Sequence, residues 1–177
     1  MFAQQEHHYT QFMYNKLLIN PAYAGARGVP SITAIYRNQW IGFKGAPQSA
    51  LVSFNSPFLS PRVGVGVTLS HRQIGLQRDF HMALAYSYDL VASDEFSMRV
   101  GITASLRSLG IAFSDAQPNE TGDVSLGDAQ VNDFYGNVGA GIYGTVSDRF
   151  YFGFSVPRIY SNAMGYANGN AVLIAKE

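Results

Sequence analysis

From residue 30 onward, apolar and polar residues alternate along the chain, and this period of two constrains the fold more than any other feature. The alternation is clearest in residues 80–90 and 96–107, where six successive apolar positions oppose small or polar ones. Strands with one face in water and the other against a core or lipid have this pattern. It predicts seven strands, at about 31–38, 48–55, 63–70, 80–90, 96–107, 134–146 and 150–156.

Composition and connector lengths favour a membrane barrel over a soluble fold. Only 14% of residues are charged, against about 25% in a typical soluble domain, and 12 Phe and 11 Tyr are present. Short turns are predicted after the second, fourth and sixth strands, and longer segments after the first, third and fifth. Outer-membrane barrels have this arrangement. We therefore predict an all-β fold, an antiparallel up-and-down transmembrane β-barrel, with a soluble β-sandwich as the alternative.

The two ends of the chain differ from the alternating part. Residues 1–29 are predicted to form an N-terminal periplasmic or plug segment, and residues 30–177 the barrel domain. Bacterial single-chain barrels take an even number of strands from about 8 upward, so seven strands predict a partial barrel. The N-terminus lacks the basic and apolar regions of a signal peptide, and a closing strand with a terminal aromatic residue is missing. We expect a barrel trimmed at both ends.

The sequence contains little that points to catalysis or cofactors. There is no cysteine, and a formal net charge of zero gives no reason to expect nucleic acid as a partner. Gly139–Gly144 matches a dinucleotide fingerprint, but it lies within a strand and not between a strand and a helix. Asp79 and His81 are two residues apart and share one face of a strand. They could form a metal or acid–base pair, but the favoured interpretation is a solvated pair at the mouth of the lumen. We predict no catalytic, cofactor or metal residue.

Three arginines, Arg37, Arg99 and Arg107, fall in the polar register of their strands. One interpretation is an anion-selective constriction in the lumen. The favoured interpretation is that they are paired with carboxylates inside a polar barrel, and Asp79 and Asp89 are available for this.

Two segments resemble the PorP/SprF family of type IX secretion proteins. The first comprises Tyr9–Asn15 and Leu17–Gly25, and the second comprises Tyr36–Phe43 and Gly45–Gln48. The similarity continues as a barrel pattern to about residue 157, and members of the family are considerably longer.

The resemblance implies a non-enzymatic β-barrel of the bacterial outer membrane that assists export or surface anchoring of adhesins linked to gliding motility. The implied partners are the lipid bilayer, type IX secretion subunits and adhesin cargo. A passive porin-like channel for small solutes is the alternative, because a polar inner face permits it equally. The candidate residues either contact a partner or fold the barrel lip: Asn20, Pro21, Ala22, Tyr23, Gly25, Tyr36, Arg37, Gln39, Trp40, Gly42, Gly45 and Pro47.

Overall fold

The computed structural model describes residues 15–43, 45–93, 95–112, 130–147 and 149–159. Two short 3-10 helices, Lys16–Leu18 and Pro21–Tyr23, precede the strands. None of the helices in these ranges is both long and apolar enough to cross a membrane. The strands are β1 Ser31–Asn38, β2 Gln48–Phe58, β3 Ser60–Ile74, β4 Gln77–Ala92, β5 Phe96–Ala112, β6 Gln130–Val146 and β7 Phe150–Val156.

The seven strands form one antiparallel sheet in which every strand pairs with its neighbours in sequence, in the order β1 to β7. The sheet curls into a half-barrel. The predicted all-β fold, a partial up-and-down barrel of about seven strands, is therefore confirmed. Residues 1–14, the whole β5–β6 connector and the tail from residue 160 lie outside the described ranges.

One predicted connector is wrong. β3 and β4 are joined by the two-residue turn Gly75-Leu76, and not by a long segment. Both strands run further than the apolar alternation, because the polar residues 70–73 and 77–79 also pair across the hairpin. Gly75 adopts φ +55°, a left-handed conformation that glycine takes without steric cost. The other connectors follow the predicted alternation of short and long.

The convex face of the sheet carries a continuous apolar belt. Its rows run across the strands, as where Val67 pairs with Leu84, Leu84 with Ala104 and Ala104 with Val138. In β4 the belt extends from Phe80 to Leu90, which is about 36 Å of strand at ~3.3 Å per residue. A strand tilted by about 45° then spans about 25 Å, the height of the apolar band of a membrane barrel.

The opposite, concave face is formed mainly by small and polar side chains and by glycines, together with a few larger ones such as Leu51 and Tyr143. Residues 15–28, which we term the inner segment, lie against this face and contact strands from β2 to β7. A segment this short reaches so many strands only from inside the curve of the sheet. Buried polar side chains on this face are Ser53, Asn55, Thr68, Asp79, Ser87, Asp89 and Arg99.

Charge should be tolerated very differently on the two faces. Leu84→Arg places a guanidinium in the middle of the convex belt, and we expect a loss of about 2–4 kcal/mol of folding free energy in lipid. Ala83→Arg, one residue away on the concave face, should cost clearly less because that face is polar. Urea titrations of both variants refolded into lipid vesicles would measure the difference, and equal losses would contradict the assignment of the two faces.

Candidate functional site

The inner segment folds on itself through an asparagine and a proline. Asn20 precedes the second 3-10 helix and its side-chain Oδ1 accepts a hydrogen bond from the Ala22 backbone N–H at 3.0 Å. Pro21 occupies the first helical position, where its fixed φ suits the turn and its missing N–H is no loss. Pro21 and Ala22 are both buried. The Asn-Pro-Ala sequence therefore produces a compact bend that lies flat on the sheet.

One end of this bend is bound through its backbone. The Ala24 carbonyl oxygen accepts hydrogen bonds from Ser87 Oγ at 2.5 Å and from the Arg99 guanidinium at 3.1 Å. The next residue, Gly25, donates its backbone N–H to Asn55 Oδ1 at 2.6 Å. Three side chains from β2, β4 and β5 thus hold two adjacent backbone groups.

The other end of the bend is bound to the last two strands. Asn20 Nδ2 donates to the Ile142 carbonyl oxygen of β6 at 2.8 Å. Ser155 Oγ of β7 donates to the Ile19 carbonyl oxygen, also at 2.8 Å. The inner segment consequently bridges the sheet from β2 to β7.

A lysine of the inner segment lies among three tyrosines. Lys16 Nζ is 3.4 Å from the ring centroid of Tyr151, and 5.6 Å and 5.8 Å from those of Tyr23 and Tyr143. Tyr23 and Tyr143 pack edge to face with their centroids 5.3 Å apart. Ammonium groups are attracted to aromatic ring faces at such distances. This tyrosine cage adds a side-chain contact at the β6–β7 end.

Glycines allow the inner segment to approach the sheet closely. A Cβ atom at Gly64 would collide with the Ala24 carbonyl oxygen, and a Cβ at Gly101 would lie 2.5 Å from Ala22 Cα. A Cβ at Gly141, within the fingerprint-like stretch, would collide with the side-chain oxygen of the capping asparagine. Side-chain-free positions on β3, β5 and β6 therefore form the floor of a groove, which we term the glycine groove.

A buried ion pair lies beside the glycine groove. Arg99 Nε is 3.2 Å from Asp89 Oδ2, and both side chains are less than 10% exposed, at 8% and 7%. Ser97 Oγ also donates to Asp89, and a second guanidinium nitrogen of Arg99 donates to the Pro61 carbonyl oxygen at 2.8 Å. The guanidinium thus joins β3, β4, β5 and the inner segment.

A second ion pair lies nearer the opposite end of the strands. Arg107 binds Asp79 with two parallel hydrogen bonds, Nε to Oδ1 at 3.1 Å and Nη2 to Oδ2 at 2.8 Å. Asp79 is 6% exposed and bound to Arg107, so the favoured interpretation of Asp79 as part of a solvated pair is wrong. The favoured pairing of Arg99 and Arg107 with carboxylates is present in the structure, whereas Arg37 lies exposed on β1.

The second motif forms the β1–β2 connector, at the far end of the sheet from Gly25. The connector is closed by a hydrogen bond from the Gln39 N–H to the Pro47 carbonyl at 3.0 Å. The Gly45 carbonyl accepts from the Gly75 N–H in the β3–β4 turn, also at 3.0 Å. Gly42 and Gly45 adopt φ +95° and +82°. The connector is therefore a folded structure supported by the neighbouring hairpin.

This connector presents large apolar side chains to the outside. Trp40 is 72% exposed and Ile41 is 85% exposed, and Tyr36 and Phe43 are exposed to a similar degree. Trp40 also adopts φ +54°, which is unusual for a residue other than glycine. The structure thus separates the candidate residues into two groups. Asn20 to Gly25 lie on the concave face and are buried except for the half-buried Tyr23, whereas Tyr36 to Pro47 form or flank an exposed connector.

Several contact residues escaped the sequence analysis, notably Asn55, Ser87, Tyr143, Tyr151 and Ser155. Each lies in the polar register of its strand, which alternation alone identifies. Their partners are backbone atoms or rings of a segment far away in sequence, and no local spacing reveals such contacts. Among the described residues, no group of three or more His, Cys, Asp or Glu side chains could hold a metal ion.

A lipid-matched belt, a curled antiparallel meander and a bridged concave face define a membrane protein of the β-barrel class. The family model described as type IX secretion system membrane protein PorP/SprF matches residues 1–175, and the chain belongs to this family. Neither a curated protein nor a solved structure was found to match.

A side chain in the glycine groove should displace the inner segment. Gly101→Val places a branched side chain against Ala22, and such overpacking costs about 1–3 kcal/mol. We expect trypsin to cleave after Lys16 roughly tenfold faster, because the displaced population grows accordingly. Gly136→Val is the matched control, since a Cβ there meets only Leu106 at 3.7 Å. Mass spectrometry would follow the cleavage of both variants. Equal cleavage rates would show that the groove does not hold the inner segment.

The buried ion pair should be strongly coupled to stability. Arg99→Met leaves Asp89 buried without its cation, which typically costs about 3–5 kcal/mol. The double variant Arg99→Met with Asp89→Asn should lose markedly less than the sum of the single variants. Arg62→Met, at an exposed arginine of β3, should stay within about 0.5 kcal/mol of the parent. Urea unfolding in detergent would measure the free energy of unfolding of the parent, the two single variants, the double variant and the Arg62→Met control. Strictly additive losses would contradict the pairing of Arg99 with Asp89.

Proposed function

We propose that the protein is a non-enzymatic β-barrel of the bacterial outer membrane that assists type IX secretion in exporting or surface-anchoring adhesins linked to gliding motility. The observation that carries the proposal is the inner segment seated across the concave face. This seated segment and the chain's membership of a secretion-system membrane family together support the proposal.

The geometry of the sheet supports the proposed location in the outer membrane. The apolar belt matches the band of membrane barrels. The β2–β3, β4–β5 and β6–β7 connectors at one end are all short, whereas the opposite end has the long β1–β2 and β5–β6 connectors beside the short β3–β4 turn. In outer-membrane barrels the short turns are periplasmic. We propose the same orientation here, with the inner segment near the periplasmic end and the Trp40 connector on the outer side.

An accessory role is favoured over a passive porin by the filling of the concave face. We propose that residues 1–29 act as a plug and residues 30–177 as the barrel domain. A porin keeps a water-filled interior, whereas here Arg99, Ser87 and Asn55 hold protein backbone in the place of water.

The proposal predicts that the protein does not conduct ions until the inner segment is displaced. Reconstituted into planar bilayers, the full chain should show no steady conductance, and Gly101→Val should show openings because its segment is loosened. Gly136→Val should behave like the parent. Steady conductance of the parent would refute the plug and favour the porin-like channel.

The Trp40 connector is the surface we propose for contact with a secretion subunit. It combines a folded backbone with large exposed side chains, and aromatic anchors of this kind dominate the energetics of many protein interfaces. Candidate residues that shape or flank it are Tyr36, Arg37, Gln39, Gly42, Gly45 and Pro47.

Removing the aromatic side chains of this connector should therefore impair secretion without unfolding the barrel. In a type IX-competent host, Trp40→Ala combined with Phe43→Ala should lower surface adhesin several-fold at an unchanged amount of barrel. Leu59→Ala is the control, because Leu59 is 93% exposed at the opposite end of the sheet. Normal surface adhesin in the double variant would contradict the proposed contact.

A further inference from the structure

The glycine groove recognises its occupant mainly through the main chain. Ser87 and Arg99 bind the Ala24 carbonyl, Asn55 binds the Gly25 N–H, and Ser155 binds the Ile19 carbonyl. None of these contacts requires a particular side chain on the occupant. A different polypeptide that brings a carbonyl and the following N–H to the same place would be bound by the same groups.

The floor of the groove sets the size of the residues it accepts. Ala22 and Ala24 are completely buried, and they lie on glycines that have no room for a Cβ. Two larger occupant side chains also lie against glycines: the Leu17 Cδ2 would lie 2.7 Å from a Cβ at Gly66, and the Asn20 Oδ1 would collide with a Cβ at Gly141. The groove therefore fits a bend with small residues at two alternate positions, those of Ala22 and Ala24, and an apolar residue earlier in the segment.

The resident segment is held in addition by side-chain contacts of its own. These are the Lys16 ammonium in the tyrosine cage and the Asn20 amide on the Ile142 carbonyl. At its N-terminal end, Asn15 is 5% exposed and its Nδ2 has no hydrogen-bond partner among the described residues. A buried amide left unpaired weakens the seated state. Its side-chain advantage over another peptide is thus confined to a few contacts.

We propose that the glycine groove is a peptide-binding site whose resident ligand, residues 15–25, is replaceable by a segment of an exported polypeptide with small residues at two alternate positions. This inference rests on the proposed function, since secretion brings such polypeptides to the barrel. A tethered ligand has an effective concentration on the order of millimolar. The incoming segment therefore replaces it when it is delivered locally or when the contacts of Lys16 and Asn20 are weakened.

The test uses the full chain in detergent and a fluorescent synthetic peptide of residues 15–28 as the probe. The parent protein should bind the peptide weakly, because its own segment occupies the groove. The double variant Lys16→Ala with Asn20→Ala should bind it at least about tenfold more tightly by fluorescence anisotropy, since the tethered competitor is weakened. Adding Gly101→Val to this variant should abolish binding, whereas adding Gly136→Val should not.

A thiol reporter shows whether the resident segment has left the groove. The chain has no cysteine, so Leu17→Cys gives a single thiol that is shielded while the segment is seated. If the thiol of the weakened variant is labelled rapidly and the peptide still fails to bind, the groove is not a peptide site. If the thiol stays protected even in the weakened variant, the segment is permanent and the proposal is likewise overturned.

These outcomes are separate from a failure of the proposed function. If the parent protein does not conduct in planar bilayers and no peptide exchanges into the groove, only the proposal of a replaceable ligand is overturned. A parent protein that conducts steadily overturns the plug itself, whatever the binding result.

Discussion

The concave face depends on one buried cation. The Arg99 guanidinium contacts Asp89 on the neighbouring strand, the Pro61 carbonyl at the start of β3 and the Ala24 carbonyl of the inner segment. A buried charge is stable only when it is paired and its remaining hydrogens are bound. Arg99 meets this condition only if the sheet curls and the inner segment is seated. Curvature, strand neighbours and segment position are therefore coupled through one side chain.

The same strands face lipid, and not the inner segment, on the convex side of the sheet. The period of two places Leu84 and its row of apolar neighbours on the convex surface, while Ser87, Asp89 and Arg99 fall on the concave one. Lipid cannot hydrogen-bond to the backbone, so a sheet in a membrane must bind its polar groups internally. Because the strands bind one another's backbone groups, the side chains of the concave face remain available to bind backbone from elsewhere in the chain.

Much of the fold, but only part of the site, could be predicted from the sequence. Alternation predicted the seven strands and both faces, and the register of the arginines favoured pairing with Asp79 and Asp89, which the structure shows for Arg99 and Arg107. It failed at the β3–β4 turn, because residues 70–73 and 77–79 are polar on both faces and carry no alternation although they pair. The detailed position of Asn20–Gly25 could not be predicted, because its contacts are with side chains, glycines and a backbone carbonyl that lie 30 or more residues away.

The two motifs differ in how far the fold itself explains them. Each small residue of the first has a local reason: Asn20 caps and bridges, Ala22 and Ala24 lie on glycines, and Gly25 combines φ +68° with a close contact. In the second, Gly42 and Gly45 are required by their positive φ. Trp40 is different, because a bulky residue in that conformation is strained, typically by about 1–3 kcal/mol, and its ring is mostly exposed. The fold accommodates the Trp40 backbone in a turn, where its carbonyl accepts a hydrogen bond from the Phe43 N–H at 3.0 Å. The fold gives no reason for the exposed ring, and this is why we propose Trp40 as a contact for a secretion subunit.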